Sequence, residues 1–348
     1  MADYTTIDNP TKHFNTVLYT GNGSTAHAIT GVGFQPDWVW CKARSITKDH
    51  LLFDINRGVT NALKTNASLA VDTNSEFLQA FGTDGFTVGN QGKINTSSAT
   101  YVSWNWLGAN GTASNSNGSI TSTVSANQTA GLSIVTYTGN GTAGATVGHG
   151  LGSVPKMIIV KVRNTSNSWV VYHTSLGATK FIEMNSTGAV QTNSTRFNDT
   201  EPTSSVFSLG SAAGVNTNSD THVAYCFAEK QGYSKFGKWT GTGQSSGPFI
   251  YTGFRPAFLS WKMSSSTENW YINDNKREPY NDDAMTVLYP NLSNADGSLN
   301  DEIDLLSNGF RINGTNSAHN TDGATYIYWA FAEHPFVTAG TKAAGTAR

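Results

Sequence analysis

Three lysines hold the clearest chemical potential, because each stands at the same place in one of three similar stretches. Lys42, Lys161 and Lys262 each close a short apolar run that begins at Pro36, Pro155 or Pro256. A cation fixed this way could meet a ligand carboxylate or a sugar hydroxyl, but a strand-end lysine also guards a sheet edge or pairs with a nearby acid. The dense carboxylate region lies between Asp282 and Asp304. Asp296, Asp301 and Asp304 form a candidate calcium set, since oxygen ligands suit that hard cation. Gly297 comes too early for a twelve-residue calcium loop. Asp282, Asp283, Asp296 and Asp304 are the candidates for the facing carboxyl pair that polysaccharide hydrolysis needs. The eight histidines lack metal-ligand spacing, and two cysteines cannot build a structural zinc site. No nucleophile elbow, phosphate loop or dinucleotide fingerprint occurs, because the glycines sit in turns with no helix behind them. The reading is therefore of a protein that is not an enzyme and uses no cofactor.

The elements that must position these groups are strands, and they recur. The segment from Asn320 to Ala332 has counterparts at Asn95–Leu107 and Asn216–Ala228. Each begins Asn-Thr, has Thr five residues after the Asn, and then alternates. One face reads Val102/Val223/Ile327, Trp104/Tyr225/Trp329 and Trp106/Phe227/Phe331, a repeated core stripe because residues two apart share a face. Tyr101, Tyr326 and Tyr328 fall on the opposite face with His222. They are candidate contacts for a partner surface or a stacked sugar ring. Leu18-Tyr19-Thr20-Gly21-Asn22-Gly23 recurs at Thr136–Gly141 and Lys238–Gly243, and reads as a strand entering a tight turn. From the proline to the Asn of the closing strand the separations are 59, 61 and 64 residues. Internal repetition of this kind, with short strands and frequent turns, predicts an all-β chain of three tandem antiparallel β-sandwich repeats.

The expected organisation is a leader over 1–16, repeats over 17–109, 133–231 and 232–337, and a flexible tail over 338–348. Residues 110–132 are rich in Gly, Ser, Thr and Asn and read as a linker. Tyr233 and Phe236 would pack the second and third repeats into a rigid pair, with the first joined loosely. Charged residues make up 13% of the 348 and the net charge is −2, so no basic field points to nucleic acid. No apolar run approaches the 18 residues of a membrane span. Cys41 and Cys226 lie in different repeats and read as free thiols.

The order Tyr-Thr-Gly-Asn-Gly, Gly-x-x-Pro with an apolar strand and Lys-x-Arg, Trp-x-x-Tyr, then Ala-Thr-Tyr-Ile-Tyr-Trp-Ala-Phe-Ala-Glu resembles a repeat domain of tailed-phage virion proteins. Proteins of tail-fibre type, including those of marine phages, carry it. The similarity runs from about His13 to Phe336. It implies a lectin-like, jelly-roll-like sandwich, a virion location and contact with other virion proteins. It also implies a homo-oligomer, usually a trimer, and attachment to a host-surface glycan. The leader or the first repeat would fix the protein to the particle. A head-decoration or tail-adaptor role is the alternative, and a polysaccharide depolymerase a more distant one. The first repeat is diverged, and the chain carries no coiled-coil or collagen-like shaft.

Overall fold

The computed structural model describes residues 4–281, 284–300 and 303–338. The chain is all-β and its sheets are antiparallel. Three successive stretches, here called units, repeat one strand order. Each has an opening strand (Phe14–Thr20, Leu132–Thr138, Ser234–Thr240) paired to a closing strand (Thr100–Trp106, Thr221–Ala228, Thr325–Pro335). The closing strand then pairs with a lysine strand (Trp38–Ala43, Pro155–Val162, Phe254–Met263). A middle strand follows (Leu51–Asp54, Val170–His173, Trp270–Asp274). A smaller sheet covers one face of each large one: His27–Thr30, Gly85–Val88 and Leu78–Gly82 in the first unit, Ala145–Gly148 and Val206–Leu209 in the second. Ser246–Tyr251, Gly309–Asn313 and Ile303–Leu306 form it in the third.

Local chemistry explains the motifs. One helical turn precedes each closing strand and ends on the repeated asparagine, Asn95, Asn216 or Asn320. Each of these is fully buried. Its Oδ1 accepts the backbone N–H of Asn22, Asn140 or Thr242 at 2.8–3.0 Å. Its Nδ2 donates to the carbonyl of Gly89, Gly210 or Gly314. The side chain thus replaces water for backbone groups that neither sheet can pair. At Gly21, Gly139 and Gly241 a Cβ would stand 2.2–2.3 Å from the carbonyl oxygen of Thr96, Thr217 or Thr321. Only glycine lets the opening strand turn this close to the closing one.

The units are not separate sandwiches on a string. Val102, Trp104, Trp106, Val223, Tyr225, Phe227, Ile327, Trp329 and Phe331 belong to one core cluster drawn from all three. Trp38 stacks on Tyr225 at 4.6 Å between centroids, Phe227 meets Trp329 at 5.3 Å, and Trp106 lies parallel to Trp329 at 6.2 Å. The stripe read as the inside of each sandwich is the seam between units. The inside of each sandwich is the opposite face: Val39 and Cys41, then Ala224 and Cys226, then Tyr328 and Ala330. The closing, lysine and middle strands of each unit are therefore buried on both faces, as strands of parallel sheets in α/β proteins usually are and antiparallel ones less often.

Two other expectations change. Residues 110–132 are not an open linker, since Ala113–Asn115 and Ser122–Asn127 extend the second unit's large sheet beyond its opening strand. Nor is the first unit joined loosely: Tyr233 and Phe236 do pack, but into the core that all three share. The leader, described from Tyr4, lies against the third unit, where the Tyr4 hydroxyl donates to Gly253 O at 2.7 Å. Ile7 and Phe14 enter the shared core. Cys41 and Cys226 are free and buried. Most of the expected tail, 339–348, lies outside the described residues.

Candidate binding site

The lysines selected by sequence are architectural. Lys42, Lys161 and Lys262 are all buried. Each ammonium donates to the carbonyl of the next residue: Ala43, Val162 or Met263, at 2.7, 2.9 and 2.6 Å. Burial holds each at about 8, below the ordinary lysine range. They sit beside the seams. The loop of one unit donates a backbone N–H to the strand end of the next: Val71 to Arg163 O, Val190 to Ser264 O, and Asp296 to Arg44 O, at 2.7–2.9 Å. Lys161 also reaches across to Ser68 O at 3.1 Å.

A second cycle of polar contacts runs through the ends of the middle strands. The Tyr225 hydroxyl donates to Asp54 at 2.7 Å, Trp104 Nε1 donates to Asp274 at 3.0 Å, and His173 Nε2 donates to Tyr328 O at 3.0 Å. These contacts join the first unit to the second, the third to the first and the second to the third. Arg57 and Arg277, whose side chains are wholly buried, complete the two aspartates at 2.5 and 2.6 Å.

Tyr101, Tyr326 and Tyr328 are buried, not surface contacts. Tyr101 stacks on Tyr19, Tyr326 stacks on Trp239, and the Tyr101 and Tyr326 hydroxyls accept the N–H of Thr96 and Thr321. The carboxylates are not brought together either. Asp296 is paired to Arg44 at 2.7 Å and to Arg277 at 3.1 Å, so two guanidiniums already neutralise it. Asp304 accepts from Asn313 at 2.8 Å. Asp282, Asp283 and Asp301 lie outside the described residues. Among the described residues no cluster of His, Cys, Asp and Glu could hold a metal, and no helix is long and apolar enough to cross a membrane.

What the surface does offer is a polar, aromatic pocket of about 260 Å³, formed where the leader meets the third unit. Tyr4 and Tyr251 wall it, their hydroxyls 3.1 Å apart. Glu229 and Lys235 line the other side, ion-paired at 2.7 Å, with Gln231 exposed beside them. Tyr251 is 53% exposed, and Phe249, two residues before it on the same outer face, is 47% exposed. Ile250 between them faces inward. The strand thus spends two aromatic rings on solvent where its hydrophobic alternation requires neither. Aromatic faces beside a carboxylate, an ammonium and an amide can take the C–H face and the hydroxyls of a sugar ring together. Sequence reasoning missed this pocket because Tyr4 and Tyr251 are 247 residues apart. The available signal was the outward parity of Phe249 and Tyr251.

A family model described as "Domain of unknown function (DUF7483)" matches residues 9–335. No curated protein and no solved structure matches the chain.

Proposed function

We propose that this chain, which belongs to the DUF7483 family, is a structural protein of a phage virion, of appendage or fibre type, that helps attach the particle to a host-surface glycan. The supporting observation is how the polar side chains are divided. The buried Lys42, Lys161 and Lys262 are held by backbone carbonyls, and Asp54, Asp274 and His173 are held in contacts that join the three units. At the surface, two tyrosines, Tyr4 and Tyr251, share one pocket with the hydrogen-bonding side chains of Glu229, Gln231 and Lys235. A rigid body with a shallow sugar-sized pocket fits adhesion, in which many copies on one particle multiply a weak contact. Being below roughly 300 Å³, the pocket suits one sugar unit of a longer chain.

Binding to an array of bacterial surface glycans tests this. Wild-type protein is expected to bind, and Tyr251→Ala to bind about tenfold more weakly, as loss of one stacked aromatic implies. Its stability should be unchanged, because the side chain is largely exposed. Absence of glycan binding, with cross-linking confined to other particle proteins, would overturn the adhesion reading. One observation favours an assembly role instead: Ala113–Asn115 is the outermost strand of the eight-stranded sheet, and open edges accept a further strand.

A further inference from the structure

We infer that the seam between the first and third units carries a second site, one that takes a small neutral polyol or a single sugar residue. The cavity there measures about 160 Å³ and is lined by Phe14, Thr16, Ala257, Asn275 and Glu333, with Lys276 among the exposed residues at its rim. Two of its polar atoms, Thr16 Oγ1 and Asn275 Oδ1, are buried and have no hydrogen-bond partner among the described residues. Thr16 is 4% exposed and Asn275 5%. Leaving such an atom unmatched is costly, so a protein retains one where something fills the need.

Comparison among the units sharpens the point. Thr16 pairs with Trp104 across the sheet, as Ile134 pairs with Tyr225 and Phe236 with Trp329. Ile134 and Phe236 are apolar members of the shared core. In the same way Ile55, packed against that core, follows Asp54 where Asn275 follows Asp274. Two seams use hydrophobic groups on the opening strand, and the third has a hydroxyl there, with an amide lining the same cavity. This departure from the repeat opens the cavity and makes it polar.

The chemistry of the wall selects the ligand. Asn275 Oδ1 only accepts, so the ligand must donate; Thr16 Oγ1 can do either. Phe14 and Ala257 give an apolar side for C–H groups. An anion would meet an amide oxygen and the Glu333 carboxylate, which Arg255 already pairs at 3.0 Å. A cation would meet Lys276. A neutral ligand with several hydroxyls satisfies both atoms. The inference does not depend on the virion reading, since it concerns a seam and not the exposed pocket.

The test uses the whole chain with glycerol, glucose, galactose, mannose and N-acetylglucosamine as probes in saturation-transfer NMR. At least one probe should show saturable binding that persists in Tyr251→Ala and weakens about tenfold in Thr16→Val, as loss of one buried hydrogen bond implies. Thr16→Ile serves as a second variant, placing at this position the residue found at 134. It should abolish binding while leaving the melting temperature equal or higher. Saturable binding that Thr16→Val leaves intact, or no saturable binding by any probe to wild-type protein, would overturn the inference.

Discussion

Asp54→Ala is expected to destabilise the protein by about 3–5 kcal/mol, the usual cost of stranding one partner of a buried ion pair. The Asp54 carboxylate accepts the Arg57 backbone N–H at 2.9 Å, Arg57 Nε at 2.5 Å and the Tyr225 hydroxyl at 2.7 Å. Removing it leaves a guanidinium with no solvent exposure and cuts a tie between the first two units. The third unit repeats the arrangement. There Asp274 accepts Arg277 Nε at 2.6 Å and Trp104 Nε1 at 3.0 Å, so Asp274→Ala should also destabilise, but by less, because Asp296 still pairs Arg277 at 3.1 Å. Urea unfolding measures both. The double variant Asp54→Ala/Arg57→Met should recover part of the loss, because the buried charge has gone. Costs below about 1 kcal/mol for the single variants, the range of exposed pairs, would mean that the pairs do not hold the seams.

A second large effect is expected on acidification. His173, His222 and His319 are buried, and burial holds each at about 4. His50 is also held well below its ordinary range by burial and by the nearby Lys42 charge. In the unfolded chain a histidine takes up its proton near 6.5. Between pH 6.5 and 4 the unfolded state therefore binds protons that the folded state refuses. Stability consequently rises with pH through this window and is lost as pH falls through it. Each histidine contributes up to about 1.4 kcal/mol per pH unit. Unfolding free energy in urea should fall steeply from pH 6.5 to 4.5, and His173→Gln should remove about one proton from that slope. A flat profile over this range would contradict the assignment of neutral, buried imidazoles.

Some of this architecture could be read directly from the residues, and the reason is local geometry. The repeated Thr-Gly-x-Gly and Asn-Thr motifs mark places where one turn meets one closing strand, so both partners lie in patterns that recur. The strand alternation was equally plain. It could not say what each face meets, because Trp104 and Tyr101, on opposite faces, are both completely buried. Alternation reports which residues point together. It carries no record of whether the covering layer is a unit's own small sheet or the neighbouring units. The lysines misled for a related reason. A cation at a strand end reads as exposed until its neighbour in the cycle is known, and Ser68, which covers Lys161, is 93 residues away. Both pockets likewise depend on segments brought together only when the third unit closes against the first and the leader.

Closure of the three units into one body is the claim on which the rest depends, and calorimetry tests it most directly. A shared core and two cycles of seam contacts predict one unfolding transition whose calorimetric and van't Hoff enthalpies agree. Trp106→Ala, made in the first unit alone, should shift that whole transition to lower temperature. Separate transitions for the three units, with only one of them moved by Trp106→Ala, would contradict it.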